Sequence, residues 1–288
     1  MPTYRAGSSR GASPPPSGQG RSAARAVGGT DASGAAGSSL ADRRKPRPQR
    51  RAGDNTAREL RQLQPPPEAD PNQLDPEVRQ SLRSLAPATA ERVAAHLVAV
   101  GELLRDDPEA ALGQARTARA FASRIGVVRE AAGLAAYAAG EWHEALAELR
   151  AERRLTGSSV HLPVMADCER GLGRPERALE LAQSPDLRML GESGRIEMLI
   201  VASGARRDLG QGDAAVIVLQ SADLDRSTPR PWSARLWYAY AEALLAAGRR
   251  AETRQWFQAV AGIDDGETDA EERLMALDES PASPERPS

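Results

Sequence analysis

Three histidines, one cysteine, one lysine and a few carboxylate pairs are the residues of this 288-residue chain on which catalysis would have to rest. His143-Glu144 begins a zinc-protease pattern, but Ala147 stands where the second histidine belongs, and neither His96 nor His161 has a partner at metal spacing. Each histidine therefore reads as an ordinary helix or helix-start residue. Cys168 falls among small residues of one helix, where a buried packing thiol is expected rather than a reactive one. Lys45 is the only lysine among 38 basic residues. A phosphate-binding GxxxxGK loop, a kinase-type lysine and a Schiff-base lysine are thereby excluded from the rest of the chain. Asp106-Asp107 and Asp264-Asp265 sit at expected turns, and adjacent carboxylates on one turn cannot flank a substrate. The pairs Gly171/Gly173 and Gly210/Gly212 follow no strand, so they read as helix stops and not as a nucleotide fingerprint. The expectation is a protein that is not an enzyme and has no cofactor, metal or small-molecule substrate.

The elements that would position these residues show a repeat. Ala111, Ala145, Ala178, Ala215 and Thr253 recur at intervals of 34, 33, 37 and 38, each early in an expected helix. Five residues before each stands a turn residue: Asp106, Gly140, Gly173, Gly210 and Gly248. Twelve residues before each is a second small column, Ala99, Gly133, Ala166, Ser203 and Ala241. Two small columns, one on each helix of a pair, let backbones approach where the helices cross. The interval is that of stacked helix pairs, none of which buries its apolar stripe alone.

These columns, with VREAAGLAAYAAGEWHEALAELRAERRLT from Val127 to Thr156 and LPVMADCERGLGRPERALELA from Leu162 to Ala182, resemble the tetratricopeptide repeat family. The resemblance covers roughly residues 88–262; through the LDPEVR, VREAAG and ADCERGLGRPERALELA stretches it extends to an actinobacterial branch of that family, which supplies no activity. The aromatic expected inside the first helix is mostly replaced by Ala, Glu or Arg, and Pro163 is expected to shorten the first helix of the third unit. The resemblance implies an all-α fold, a right-handed α-solenoid of about five helix pairs. Asp75-Pro76-Glu77 has the cap, first-turn proline and early acid of an N-terminal capping helix, and TDAEERLMAL from Thr268 to Leu277 reads as a C-terminal one.

Composition divides the chain. Residues 1–58 carry eleven basic and three acidic residues, net +8, while the other 230 carry 27 and 37, net −10. The expected organisation is a basic, disordered Gly/Ser/Pro/Arg-rich tail and Pro-rich linker over 1–73, a repeat domain over 74–278, and a disordered tail over 279–288. The linker from Gln64 to Asn72 reads as a semi-extended spacer. MPTYRAGSSRGASPPP has no apolar core segment and no run approaches the ~20 apolar residues of a membrane span, so a cytoplasmic protein is expected, with no membrane partner.

In the resembled family the first helices of successive pairs line a groove for a peptide or helix of another protein. The corresponding face here would present His96, Glu130, Leu134, Tyr137, Asp167, Arg170, Arg207, Tyr238 and Glu242. Arg170 and Arg207 each precede an Xaa-Leu-Gly end, and stand either as a carboxylate-binding pair or as partners of helix-end carbonyls and neighbouring acids. The alternative function is RNA association through Arg43, Arg44, Lys45, Arg47, Arg50 and Arg51, a flexible cation able to neutralise several phosphates without sequence choice.

Overall fold

The computed structural model describes residues 63–264, 266 and 268–279, and within them it contains twelve α-helices and no strand. After a short 3-10 turn at Pro71–Gln73 come α1 (Pro76–Ser81), α2 (Pro87–Leu103), α3 (Pro108–Ala122), α4 (Gly126–Ala138), α5 (Trp142–Thr156) and α6 (Leu162–Gly171). There follow α7 (Pro175–Leu181), α8 (Glu192–Asp208), α9 (Gly212–Gln220), α10 (Ser233–Ala246), α11 (Arg250–Ala261) and α12 (Ala270–Glu279). Each helix packs chiefly on its chain neighbours, and α6 and α10 each also touch α8.

Local chemistry sets the boundaries. Asp75 and Asp107 cap α1 and α3 by accepting from Glu77 N and Ala110 N, each with proline as the first helical residue. Gly140, Gly173, Gly210 and Gly248 end α4, α6, α8 and α10 with φ of 75°, 70°, 70° and 75°, the left-handed region where a Cβ is penalised. The residue after each glycine closes the same bond back into the helix. Glu141 N to Ala136 O spans 2.8 Å, and Arg174 N to Glu169 O, Gln211 N to Arg206 O and Arg249 N to Leu244 O each span 2.9 Å. Pro163 lies in the first turn of α6, which has 10 residues against 13 in α4 and 17 in α8.

Ala111, Ala145, Ala178, Ala215 and Thr253 are all 0% exposed, and Ala99, Ala166, Ser203 and Ala241 are buried with them. That the two columns face each other is shown between α8 and α9, where Ser203 Oγ donates to the Ala215 carbonyl at 3.1 Å. Between α4 and α5, a Cβ added to Gly133 would stand 2.6 Å from Leu149 Cδ2. Two apolar cores result. One runs from Ala69 to Ala205 and the other from Ile196 to Ala270, so that α8 contributes to both. Trp237, Phe257 and Tyr240 are buried in the second, and α12 covers the last pair with Ala270 buried.

The proline-rich stretch read as a spacer lies against the first pair. Ala69 and Leu74 are buried, Leu63 Cδ2 is 3.7 Å from where a Cβ on Gly113 would be, and the Gln64 carbonyl accepts from Gln114 Nε2 at 3.3 Å. Prolines lack N–H groups, so such a strap leaves few backbone donors unpaired when it packs. Among the described residues no helix is long and apolar enough to cross a membrane.

Candidate functional site

The polar side chains of the first helices, α4, α6, α8 and α10, join into a row that crosses from pair to pair. Tyr137 Oη on α4 donates to Asp167 Oδ2 on α6 at 2.6 Å. Arg170, one turn further along α6, donates through Nη1 to Asp167 Oδ1 at 2.6 Å and through Nε to Asp208 Oδ2 on α8 at 2.8 Å. Its guanidinium lies across the α8 backbone at Gly204, where a Cβ would stand 2.6 Å from Arg170 Cζ. Glycine at that position is what lets the arginine cross. Burial works against the Arg170 charge, but Asp208 and Asp167 outweigh it and raise its pKa.

The row continues on the next helices. Arg207 Nη2 on α8 donates to Glu242 Oε2 on α10 at 2.9 Å, and Arg273 Nε on α12 donates to Glu242 Oε1 at 2.9 Å. Tyr238 donates to Asp269, which precedes α12. At the other end His161 Nε2 donates to Glu130 Oε1 at 2.8 Å. Burial pushes the Tyr137 and Tyr238 hydroxyls upward, with Asp167 and Asp269 adding to it, so both remain protonated donors at neutral pH. Arg235 Nη2 donates to Glu197 Oε2 at 2.7 Å, and burial raises the Glu197 pKa against that arginine's opposing effect.

Of the residues expected on this face, Glu130, Tyr137, Asp167, Arg170, Arg207, Tyr238 and Glu242 are thus held in it, and Leu134 lies half-buried beside them on α4. His96 is a correction. It is 0% exposed, with Nδ1 at 2.6 Å from Gln114 Oε1. All eight residues from Val93 to Val100 are buried, because α3 and the 63–85 segment enclose α2 where a face was expected to be open. The apolar run VAAHLVAV carries that signal, since a helix apolar all round is a buried one. The two arginines take the second of their expected roles, pairing with neighbouring acids.

Glu197, Asp208, Arg235, Asp269 and Arg273 were missed. Their signal is separation: the joined residues lie 30, 31, 35 or 38 apart, about one repeat, so opposite charges recur one unit further on. Arg43, Arg44, Lys45, Arg47, Arg50 and Arg51 lie outside the described residues.

The row presents six carboxylates, Glu130, Asp167, Glu197, Asp208, Glu242 and Asp269, against the guanidiniums of Arg170, Arg207, Arg235 and Arg273. It is therefore a mildly acidic, laterally bonded surface with two tyrosines. Among the described residues no three His, Cys, Asp or Glu side chains converge as a metal site. Cys168 is buried, and burial pushes its thiol up to about 12. No protein-family model matches the sequence, and no curated protein matches it significantly.

Proposed function

We propose that the protein is a non-enzymatic binding scaffold of tetratricopeptide type, a right-handed α-solenoid of about five helix pairs with a helix at each end. Its first-helix face takes an extended segment or helix of another protein. The observation that carries this reading is the row from Tyr137 through Asp167, Arg170 and Asp208, with its continuation through Arg207, Glu242 and Arg273. Side chains already held by one another lose little further freedom on binding, which lowers the entropic cost of docking. The acid excess suits a partner segment bearing Arg or Lys, whose cations add to the carboxylates while the row's own bonds stay in place.

A photo-crosslinking amino acid placed at Leu134 or Tyr238, on the first-helix face, should capture the same protein in cells, whereas placement at Ala147 or Asp213 on second helices should not. Equal capture from both sets, or none from the first, overturns the reading. The net +8 of residues 1–58 supports a second reading, RNA association through the Arg43–Arg51 cluster. In filter binding at low salt, equal RNA retention by the full chain and by a chain starting at Glu59 would refute it.

A further inference from the structure

The second helix of the third pair, α7, has 7 residues, against 15, 15, 9 and 12 in α3, α5, α9 and α11. It stops before Ser184-Pro185, since the residue preceding proline is pushed out of helical conformation, and a 3-10 turn at Pro185–Met189 takes its place. The side of α8 that further turns of α7 would have covered stays open. There a cavity of about 580 Å³ lies between α7, the connector, α8 and the end of α9. That volume is within the range of small-molecule sites.

The cavity falls where the two apolar cores part. Met198, Val201 and Ala205 of α8 belong to one core and Ile196 to the other, while Ala202, buried on the cavity floor, belongs to neither. On α8 the lining residues are Glu192, Arg195, Ile196, Leu199, Ala202 and Arg206, a stripe at helical spacing, with Met198 beside it. The lining residues of α8 run from Glu192 to Arg206, a rise of roughly 21 Å, so the cavity is elongated along that helix. Leu179 and Leu187 form one wall and Val218 and Ala222 the other.

Charge gives the groove a direction. The contact of Ser203 with Ala215 sets the start of α9 beside the late turns of α8, so Asp223, just after α9, lies toward the early turns with Glu192 and Arg195. At the other end stands Arg206. Its Nη1 donates to Gln211 Oε1, a neutral acceptor, at 2.6 Å, and among the described residues it forms no ion pair, unlike Arg170, Arg207, Arg235 and Arg273. Arg195 likewise donates to a neutral acceptor, the Leu190 carbonyl, at 2.9 Å, but it shares its end with two carboxylates. Gln183 and Ser221 complete the polar lining.

We propose that this groove binds a slender amphipathic anion, a long-chain carboxylate, with its head group on the Arg206 guanidinium and its chain along Leu199, Ala202 and Leu187. A guanidinium without an acid partner favours a bidentate carboxylate, and the apolar walls favour a chain without branches or charge. The site lies on the second-helix side and does not depend on the first-helix face being a docking surface.

Calorimetric titration of the full chain with dodecanoate, below its micelle concentration, tests this against dodecyltrimethylammonium, which has the same chain and the opposite charge. One dodecanoate per chain is expected, bound at least about tenfold more tightly than the ammonium, with R206Q weakening it about tenfold. A202F, which fills the floor, should abolish binding, and A222F does the same from the wall should A202F not fold; thermal melts establish which variants are folded. Equal affinity for the two head groups, an unchanged affinity in R206Q, or no dodecanoate binding overturns the proposal.

Discussion

Replacing glycine by alanine should stabilise this protein at one helical position and destabilise it at another, because the space beside the two glycines differs. Gly113 lies inside α3, and a Cβ there would meet only Leu63 Cδ2 at 3.7 Å, an ordinary contact. G113A should gain roughly 0.5–1 kcal/mol from the smaller entropy loss of alanine in a helix. Gly212 is the first residue of α9, packed against the end of α10. Its Cβ would stand 2.6 Å from the Ala246 oxygen, 2.7 Å from the Ala246 carbonyl carbon and 2.8 Å from Ala247 N. Those atoms are backbone, so no side-chain rotation relieves the clash, and the two helices must separate to reach the 3.4 Å of an ordinary contact. Overpacking of this kind costs about 1–3 kcal/mol. Urea unfolding followed by far-ultraviolet circular dichroism should move the midpoint up for G113A and down for G212A at constant slope. In a thermal melt the variants should differ by several degrees, at roughly 2–4 °C per kcal/mol for a domain of this size. If G212A is as stable as the parent, or both midpoints move the same way, the close approach of α9 and α10 is wrong.

Three further outcomes follow from individual side chains. Burial, opposed by the Gln114 bond and reinforced by Arg92, holds the His96 imidazole below its ordinary pKa of 6.5. The unfolded chain then binds a proton that the folded one refuses, so stability is full above about pH 6.5 and falls as pH drops toward the folded pKa, by at most ~1.4 kcal/mol per pH unit. H96N, which keeps a donor for Gln114, should flatten that decline in urea midpoints measured from about pH 7 to 5.5; an unaltered decline would refute the assignment. E242Q removes the charge shared by Arg207 and Arg273 and should cost about 1–2 kcal/mol, less than the ~3–5 of a fully buried pair because both guanidiniums are about one-third exposed. An unchanged urea midpoint would show that this joint contributes nothing. Cys168, buried and with its thiol pushed up to about 12, should react with a disulfide reagent only after unfolding; reaction of the native protein at the rate of free cysteine would place it at the surface.

What could be read in the sequence is what depends on few residues. Gly140, Gly173, Gly210 and Gly248 announce left-handed helix stops because few other residues tolerate that φ, and Asp75-Pro76 announces a helix start. The small columns were legible for the same reason, since a helix crossing near backbone contact leaves room for little else. Burial of His96 was not, although its apolar flanks carried the signal, because enclosure of α2 depends on where residues 63–85 fold back. Asp208 and Glu242, the partners of Arg170 and Arg207 on the next first helix, stand a repeat away, and choosing among the many acids at such distances needs the lateral register of the helices. The groove beside α8 was least visible of all. It arises from turns that α7 lacks, and Ser184-Pro185 marks where they end without showing what fills the space.

The pairing of small columns is tested most directly by putting the same larger side chain into one column and just beside it on the same helix. Ala145 on α5 is 0% exposed and Ala147 is exposed. In urea unfolding A145L should lose about 1–3 kcal/mol, by forcing the helices apart, while A147L stays within ~0.5 kcal/mol of the parent. Equal stabilities for the two variants, or a greater loss in A147L, would contradict the packing on which both the fold and the proposed docking face rest.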